Sequence, residues 1–149
     1  MRLYLSAGLL ALLPTIVLAQ EVPPSCPAGN GTEKTEDLQA LPLPVAHSLE
    51  RHVPNLSPPG SPFNGGDVIM RPGQTELDRR LIAAFHRGNR WVVAYEAAGR
   101  GYHHVVVAYD LSQDGKTSTI AFKAQAFPAS LCSTVDSALS SNGPIDRFW

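Results

Sequence analysis

Glu96 and His103 are the two side chains of this sequence best placed for acid–base chemistry. Both belong to predicted neighbouring strands, and a tight turn at Gly99-Arg100 sets Glu96 opposite His103. A carboxylate that faces an imidazole can transfer a proton, although such a pair more often makes an ordinary cross-strand contact. Glu96 and His103 are therefore candidates for a catalytic pair, and no catalytic site is assigned from them.

A second cluster of histidines and acids suggests a metal site, but its spacing is unfavourable. The run from His47 to His52 differs from the H-x-x-E-H pattern of zinc peptidases by one extra residue after Glu50. That insertion turns His52 about 100° away from the intended helix face. His103 and His104 are adjacent on a strand and point to opposite faces, so they cannot chelate one ion together. We expect no metal and no other cofactor.

The sequence also predicts a binding surface on one face of a sheet. Alternation along the predicted strands places large apolar and polar side chains together on that face, and an apolar cluster rimmed by polar groups is typical of binding surfaces. The residues expected to bind a partner are Trp91, Tyr95, His104, Lys123 and Gln125. The alternative is that the terminal helix or the preceding arm covers this face.

Three segments rich in β-branched and aromatic residues predict the strands of an antiparallel meander. They are residues 91–97, 102–111 and 117–127. Asp114-Gly115 between the last two is a strong hairpin signal. A two-residue turn there sets Tyr109 opposite Ile120 and Val107 opposite Phe122, and the face that holds these four residues is predicted to be an apolar core.

Two helices are expected to flank this meander. Thr75 and Asp78 form a capping-box pattern, and Gly88 stands where a helix C-terminal cap belongs, so we predict a helix over 76–87 that covers the core face. Its apolar stripe consists of Leu77, Leu81, Ile82 and Phe85. Leu131, Val135 and Leu139 align in the tail and predict a short C-terminal helix over 129–141.

Residues 20–74 differ in character from the rest of the chain. Ten of the thirteen prolines lie between residues 22 and 72, and proline removes amide donors and disfavours helix in the residue before it. We expect an extended arm with one helical turn at 45–53 and a short strand at 67–71 that can add a fourth strand to the meander. The predicted fold is thus α+β, with a proline-rich arm over 20–74 and a small domain over 75–149.

Residues 1–19 have the composition of an export signal. Arg2 is followed by a short apolar run that Pro14 interrupts, and Ala19 precedes the polar pair Gln20-Glu21. The run is too short for a transmembrane helix, which needs about 20 apolar residues. We predict cleavage after Ala19 and export of the mature chain to the periplasm or the extracellular space.

The two cysteines, Cys26 and Cys132, are an even pair in a chain predicted to be exported. Because disulfides persist in oxidising compartments, we predict a bridge between them that ties the arm to the terminal helix. The alternative is two thiols that never meet.

The formal net charge of −1 removes one class of partner. Nucleic-acid binding needs a basic surface that neutralises phosphates, so nucleic acid is not expected. We interpret the chain as a non-catalytic interaction module that binds a protein or a cell-envelope component. Two alternatives stay open: a small hydrolase-like enzyme that uses Glu96 and His103 as an acid/base pair, and a structural accessory of an envelope assembly.

Overall fold

The structure of the chain is a computed structural model that describes residues 26–63, 79–98 and 102–140. Its centre is a five-stranded antiparallel sheet whose strands follow one another in chain order. The strands are β1 (Glu33–Thr35), β2 (Arg79–Arg87), β3 (Arg90–Ala97), β4 (His103–Leu111) and β5 (Ser118–Ala126). The fold is therefore α+β, with more strands than the three or four expected.

Two ten-residue helices cover the two faces of this sheet. They are α1 (Leu43–His52) and α2 (Leu131–Ser140), and short 3-10 turns at Leu38–Ala40 and Pro128–Ser130 precede them. The predicted helical turn at 45–53 and the predicted helix at 129–141 are both confirmed as helices. No helix within the described ranges is long and apolar enough to cross a membrane.

Helix α1 forms in the segment for which we expected an extended arm. Pro44 stands in its first turn, where a missing amide costs nothing, and Arg51 and His52 in its last turn suit the helix dipole. Val45 and Leu49 are buried against the sheet. The segment is thus folded onto the sheet over this part of its length.

The predicted helix at 76–87 is wrong, because Arg79–Arg87 is strand β2. Both faces of β2 are buried: Leu81 and Ala84 belong to the core beneath α1, whereas Ile82 and Phe85 belong to the core beneath α2. A strand buried on both sides loses the polar–apolar alternation that identifies strands. A β-bulge between Leu81 and Ala83 adds one residue, which gives the apolar positions a helix-like spacing.

Gly88 has a positive φ of 57°, as a helix cap would require, but it serves the two-residue turn between β2 and β3. Glycine is favoured at such a position because it has no Cβ. The same local conformation thus occurs in a hairpin rather than at a helix end.

The predicted register of the meander is correct near one turn and shifts by one residue elsewhere. Tyr109 pairs with Ile120 as expected, but a bulge next to Tyr109 pairs Phe122 with Ala108 instead of Val107. Between β3 and β4, Glu96 pairs with His104 and not with His103. Since a one-residue shift exchanges the faces of a strand, it changes which side chains meet.

The disulfide between Cys26 and Cys132 is confirmed, with the two Cα atoms 5.2 Å apart. It joins the start of the described chain to the first turn of α2, and Cys26 is buried in the core beneath that helix. The predicted signal segment 1–19, the strand at 67–71 and the domain boundary at 74/75 lie outside the described residues.

Candidate functional site

A row of polar side chains crosses three neighbouring strands on the sheet face against which α2 packs. Arg80 on β2 pairs with Glu96 on β3, and Glu96 pairs with His104 on β4. Side chains that are direct partners in an antiparallel sheet lie on the same face, so the register alone brings the three together. We call Arg80, Glu96 and His104, with Tyr102 beside them, the polar row.

Short hydrogen bonds connect the members of the polar row. Arg80 Nε donates to Glu96 Oε2 at 2.7 Å, and the Tyr102 hydroxyl donates to Glu96 Oε1, also at 2.7 Å. The same hydroxyl lies 3.0 Å from His104 Nε2. Because the hydroxyl proton is used on Glu96, its oxygen accepts from His104, which places the ring proton on Nε2. His104 Nδ1 is then a bare acceptor, and no described residue hydrogen-bonds to it.

The polar row is buried in otherwise apolar surroundings. His104 is 0% exposed, Glu96 2% and Arg80 7%, next to the apolar core that α2 covers. Burial lowers the pKa of His104, and this outweighs the attraction of Glu96, while the neighbouring His103 lowers the pKa further. The ring is therefore held neutral in the folded chain.

Residues outside the sheet cover one end of the polar row. Arg80 Nη1 donates to the carbonyl oxygen of Ser61 at 3.0 Å, and the Arg80 guanidinium lies 5.0 Å from the centre of the Phe63 ring. Phe63 also packs edge-to-face with Tyr102, which is 40% exposed. Two aromatic rings thus separate the buried charges from solvent at this end.

The candidate acid/base pair is changed by this geometry. His103 pairs with Ala97 on the opposite face of the sheet, so it does not face Glu96. The imidazole joined to Glu96, through Tyr102, is that of His104. Sequence reasoning missed Arg80, which it placed on a helix, and Tyr102, for which neither periodicity nor motif gave a signal.

The expected binding residues divide between the two faces. His104 lies beneath α2, whereas Trp91 and Tyr95 lie on the α1 face, where Tyr95 is only 4% exposed. Trp91 is half-buried and stacks on His86, with the ring centres 4.4 Å apart. Helix α1, which belongs to the predicted arm, covers this face, as in the alternative given in the sequence analysis.

Burial changes the ionisation of two side chains on the α1 face. It raises the pKa of Tyr95 to about 12. Lys123 is half-buried, and burial together with the nearby charge of Arg79 lowers its pKa. Gln125 is exposed on β5. Of the five expected binding residues, Gln125 is thus the one whose side chain is most open to a partner.

A cleft of about 570 Å³ lies between α1 and the β4–β5 turn, and sequence reasoning did not identify it. Its lining comes from one side of α1 and from the end of the turn: Pro44, His47, Glu50, Arg51, Lys116, Thr117 and Ser118. Arg51 and Lys116 are exposed cations, and Glu50 is the one carboxylate of this lining. The signal available in the sequence was the spacing of the α1 lining residues, which lie three or four positions apart and therefore on one side of the helix.

The chemistry open to the two sites differs. The polar row holds a carboxylate, an imidazole and a guanidinium, which are groups used in proton transfer and anion stabilisation. Among the described residues, no group of three histidine, cysteine or acidic side chains is close enough to hold a metal ion. His52 instead uses Nδ1 in a 2.6 Å contact with the carbonyl oxygen of Ser48 in its own helix.

Comparison with known proteins gives no assignment. No protein-family model matches the chain, and neither a curated protein nor a solved structure matches it significantly.

Proposed function

We propose that this protein is an exported, non-catalytic interaction module that binds a protein or cell-envelope partner through the cleft between α1 and the β4–β5 turn. The observation that carries the proposal is the cleft itself, which is large, open and lined by exposed charged side chains. Both faces of the sheet are covered by helices, so neither offers an equally accessible surface in the described part of the chain.

The walls of the cleft are held in place before any partner arrives. Ser118 Oγ donates to the Pro44 carbonyl oxygen at 2.8 Å and so joins β5 to the start of α1. In the turn, the Asp114 carboxylate accepts from Ser112 Oγ at 2.6 Å and from the Lys116 amide at 3.1 Å. A preorganised surface loses little conformational entropy on binding.

The charge of the cleft favours an acidic partner segment. Arg51 and Lys116 contribute two positive charges against the single negative charge of Glu50. Complementary charge at an exposed surface mainly raises the association rate and selects among partners. We therefore expect binding that weakens as salt concentration rises.

Export is the second part of the proposal. The composition of residues 1–19 supports it, and the Cys26–Cys132 disulfide is consistent with an oxidising compartment. Intact mass of the exported protein tests this part: a chain that begins at Gln20 is expected, and an exported chain that retains residues 1–19 would contradict it.

Charge reversal in the cleft tests the binding proposal. The variant Arg51→Glu/Lys116→Glu should lose the partner that the unmodified protein captures by cross-linking in its own envelope or culture medium, because the positive charges of the cleft are inverted. The matched control is Lys34→Glu, on β1 at the other edge of the sheet. Capture that survives the double reversal, or that the control also abolishes, would reject the cleft as the binding site.

A second candidate function is hydrolysis by an acid/base pair of Glu96 and His104, favoured by the hydrogen-bonded path through Tyr102. It is less well supported, because Glu96 and His104 are both buried and Tyr102 is the most exposed member of the polar row. Turnover of nitrophenyl ester and phosphodiester probes that Glu96→Gln abolishes, without unfolding the protein, would support it. Equal background turnover in both proteins would reject it.

A further inference from the structure

The geometry of the polar row points to a proton-operated latch: we propose that protonation of His104 releases Tyr102 and Phe63 from the end of the polar row. This goes beyond partner binding at the cleft, because it assigns a regulatory role to buried groups on the other face of the sheet.

Protonation would give His104 a second donor that has no acceptor. In the neutral ring, Nε2 donates to the Tyr102 oxygen and Nδ1 is a bare acceptor. A proton on Nδ1 creates a buried N–H and a positive charge, and no described residue accepts from that atom. A buried donor without an acceptor is strongly unfavourable, as is an uncompensated buried charge.

The charged neighbours of His104 do not remove this cost. Glu96 on β3 is the negative group, but Arg80 on β2 already forms an ion pair with it at 2.7 Å. His103 is adjacent along β4 and lowers the pKa of His104. On β5, the register partner is Ala126, and α2 presents apolar side chains to this core. A protonated ring is thus favoured only if it reaches water.

The route to water passes the two aromatic rings. Strands flank His104 within the sheet and α2 covers the core beside it, whereas Tyr102 is 40% exposed and its ring centre lies 5.3 Å from that of His104. Tyr102 in turn packs edge-to-face with Phe63, with the ring centres 6.1 Å apart. Movement of the His104 ring toward water breaks its bond to Tyr102 and must displace the Tyr102 ring, which then also loses its hydrogen bond to Glu96 and its contact with Phe63.

The sign of the pH effect follows from linkage. The pKa of His104 is lower in the folded chain than in the unfolded chain, so the exposed ring binds a proton more tightly than the buried ring does. The closed latch is therefore favoured at pH values above the unfolded pKa and is lost as pH falls below it. One proton taken up on opening raises the opening equilibrium by up to about tenfold per pH unit in the acidic range. Acidic conditions therefore open the latch and neutral conditions close it.

Nuclear magnetic resonance of the aromatic rings tests the latch on the full exported chain between pH 4.5 and 8. We expect the Phe63 and Tyr102 ring signals to shift with the same midpoint as the His104 ring. The variant His104→Gln can keep a donor to the Tyr102 oxygen but cannot titrate, so it should make the Phe63 and Tyr102 signals independent of pH. His103→Gln is the matched control and should leave the midpoint in place.

Three results would overturn the latch. They are Phe63 and Tyr102 signals that do not titrate in the unmodified protein, signals that still titrate in His104→Gln, and a midpoint that follows the His103 ring instead. If His104→Gln does not fold, the unmodified protein still decides, because the midpoints of its His103 and His104 rings are measured separately and compared with that of Tyr102.

Discussion

The ion pair between Arg80 and Glu96 should couple strongly in a double-mutant cycle. Arg80→Met removes the cation and leaves the Glu96 carboxylate buried with Tyr102 as its remaining donor. Glu96→Gln removes the charge but keeps an oxygen that accepts from Tyr102. The double variant removes both charges, so neither is left unpaired.

The expected magnitude follows from burial and distance. With the charge centres about 4 Å apart and an effective dielectric constant of about 20, the attraction between the two groups is about 4 kcal/mol. Removal of one partner from a buried pair costs about 3 to 5 kcal/mol of unfolding free energy, because the other charge stays in the interior. The double variant should lose much less than the sum, with a coupling energy of about 3 kcal/mol.

Urea unfolding at pH 7.5 and 25 °C, followed by tryptophan fluorescence, measures the four unfolding free energies. Arg90 and Asp110 provide a matched control, since Arg90 Nε also lies 2.7 Å from its carboxylate oxygen but Asp110 is 41% exposed. The corresponding cycle of Arg90→Met and Asp110→Asn should give a smaller coupling energy of about 1 kcal/mol, because this pair is bidentate but its carboxylate is partly exposed to solvent. A coupling energy for Arg80 and Glu96 no larger than that of the control would refute the role of burial.

Three further predictions concern stability. Tyr95→Ala should lower the free energy of unfolding by about 3 to 5 kcal/mol because Tyr95 is buried beneath α1, whereas Trp91→Ala should lower it less because Trp91 is half-buried. Equal losses of unfolding free energy in urea would contradict this prediction. The pKa of Tyr95 is raised from 10.0 to about 12, so the neutral phenol stabilises the fold by about 3 kcal/mol below pH 10, and this contribution is lost as pH rises toward 12. In Tyr95→Phe, which cannot ionise, alkaline unfolding should therefore occur at higher pH. The bridge between Cys26 and Cys132 closes a separation of 106 residues and should contribute up to about 4.8 kcal/mol to the free energy of unfolding. Urea unfolding of the reduced protein and of the Cys26→Ala/Cys132→Ala variant measures this contribution, and a loss below about 1 kcal/mol in both would show that the bridge does not stabilise the fold.

The elements that the sequence predicted well are those with one strong local signal. Strands β4 and β5 have dense β-branched residues around a turn at Asp114-Gly115, and α2 has a clear apolar stripe that includes Leu131 and Val135. Strand β2 was wrongly predicted as a helix, because burial on both faces and a bulge after Leu81 remove the alternation of polar and apolar residues. Burial of both faces depends on α1 and α2 together, and these helices lie too far from β2 in the sequence to be seen in the residues around it.

The candidate site was predicted only in part for a related reason. Glu96 was identified, but the choice between His103 and His104 depends on whether the turn before β4 holds an even or an odd number of residues. Arg80 joins the polar row only once β2 is a strand, and Tyr102 only once its hydroxyl lies within hydrogen-bond distance of Glu96. Each of these is a tertiary event with no residue pattern of its own.

The position of the disulfide determines how the protein responds to mechanical tension. Cys26 and Cys132 lie 5.2 Å apart at Cα, so a pulling force applied through the chain outside them passes across the covalent bond. The whole sheet and α1 lie between the two cysteines in sequence and are shielded from that load. Tension can therefore unravel α2 beyond Cys132, whereas the strands separate only after reduction.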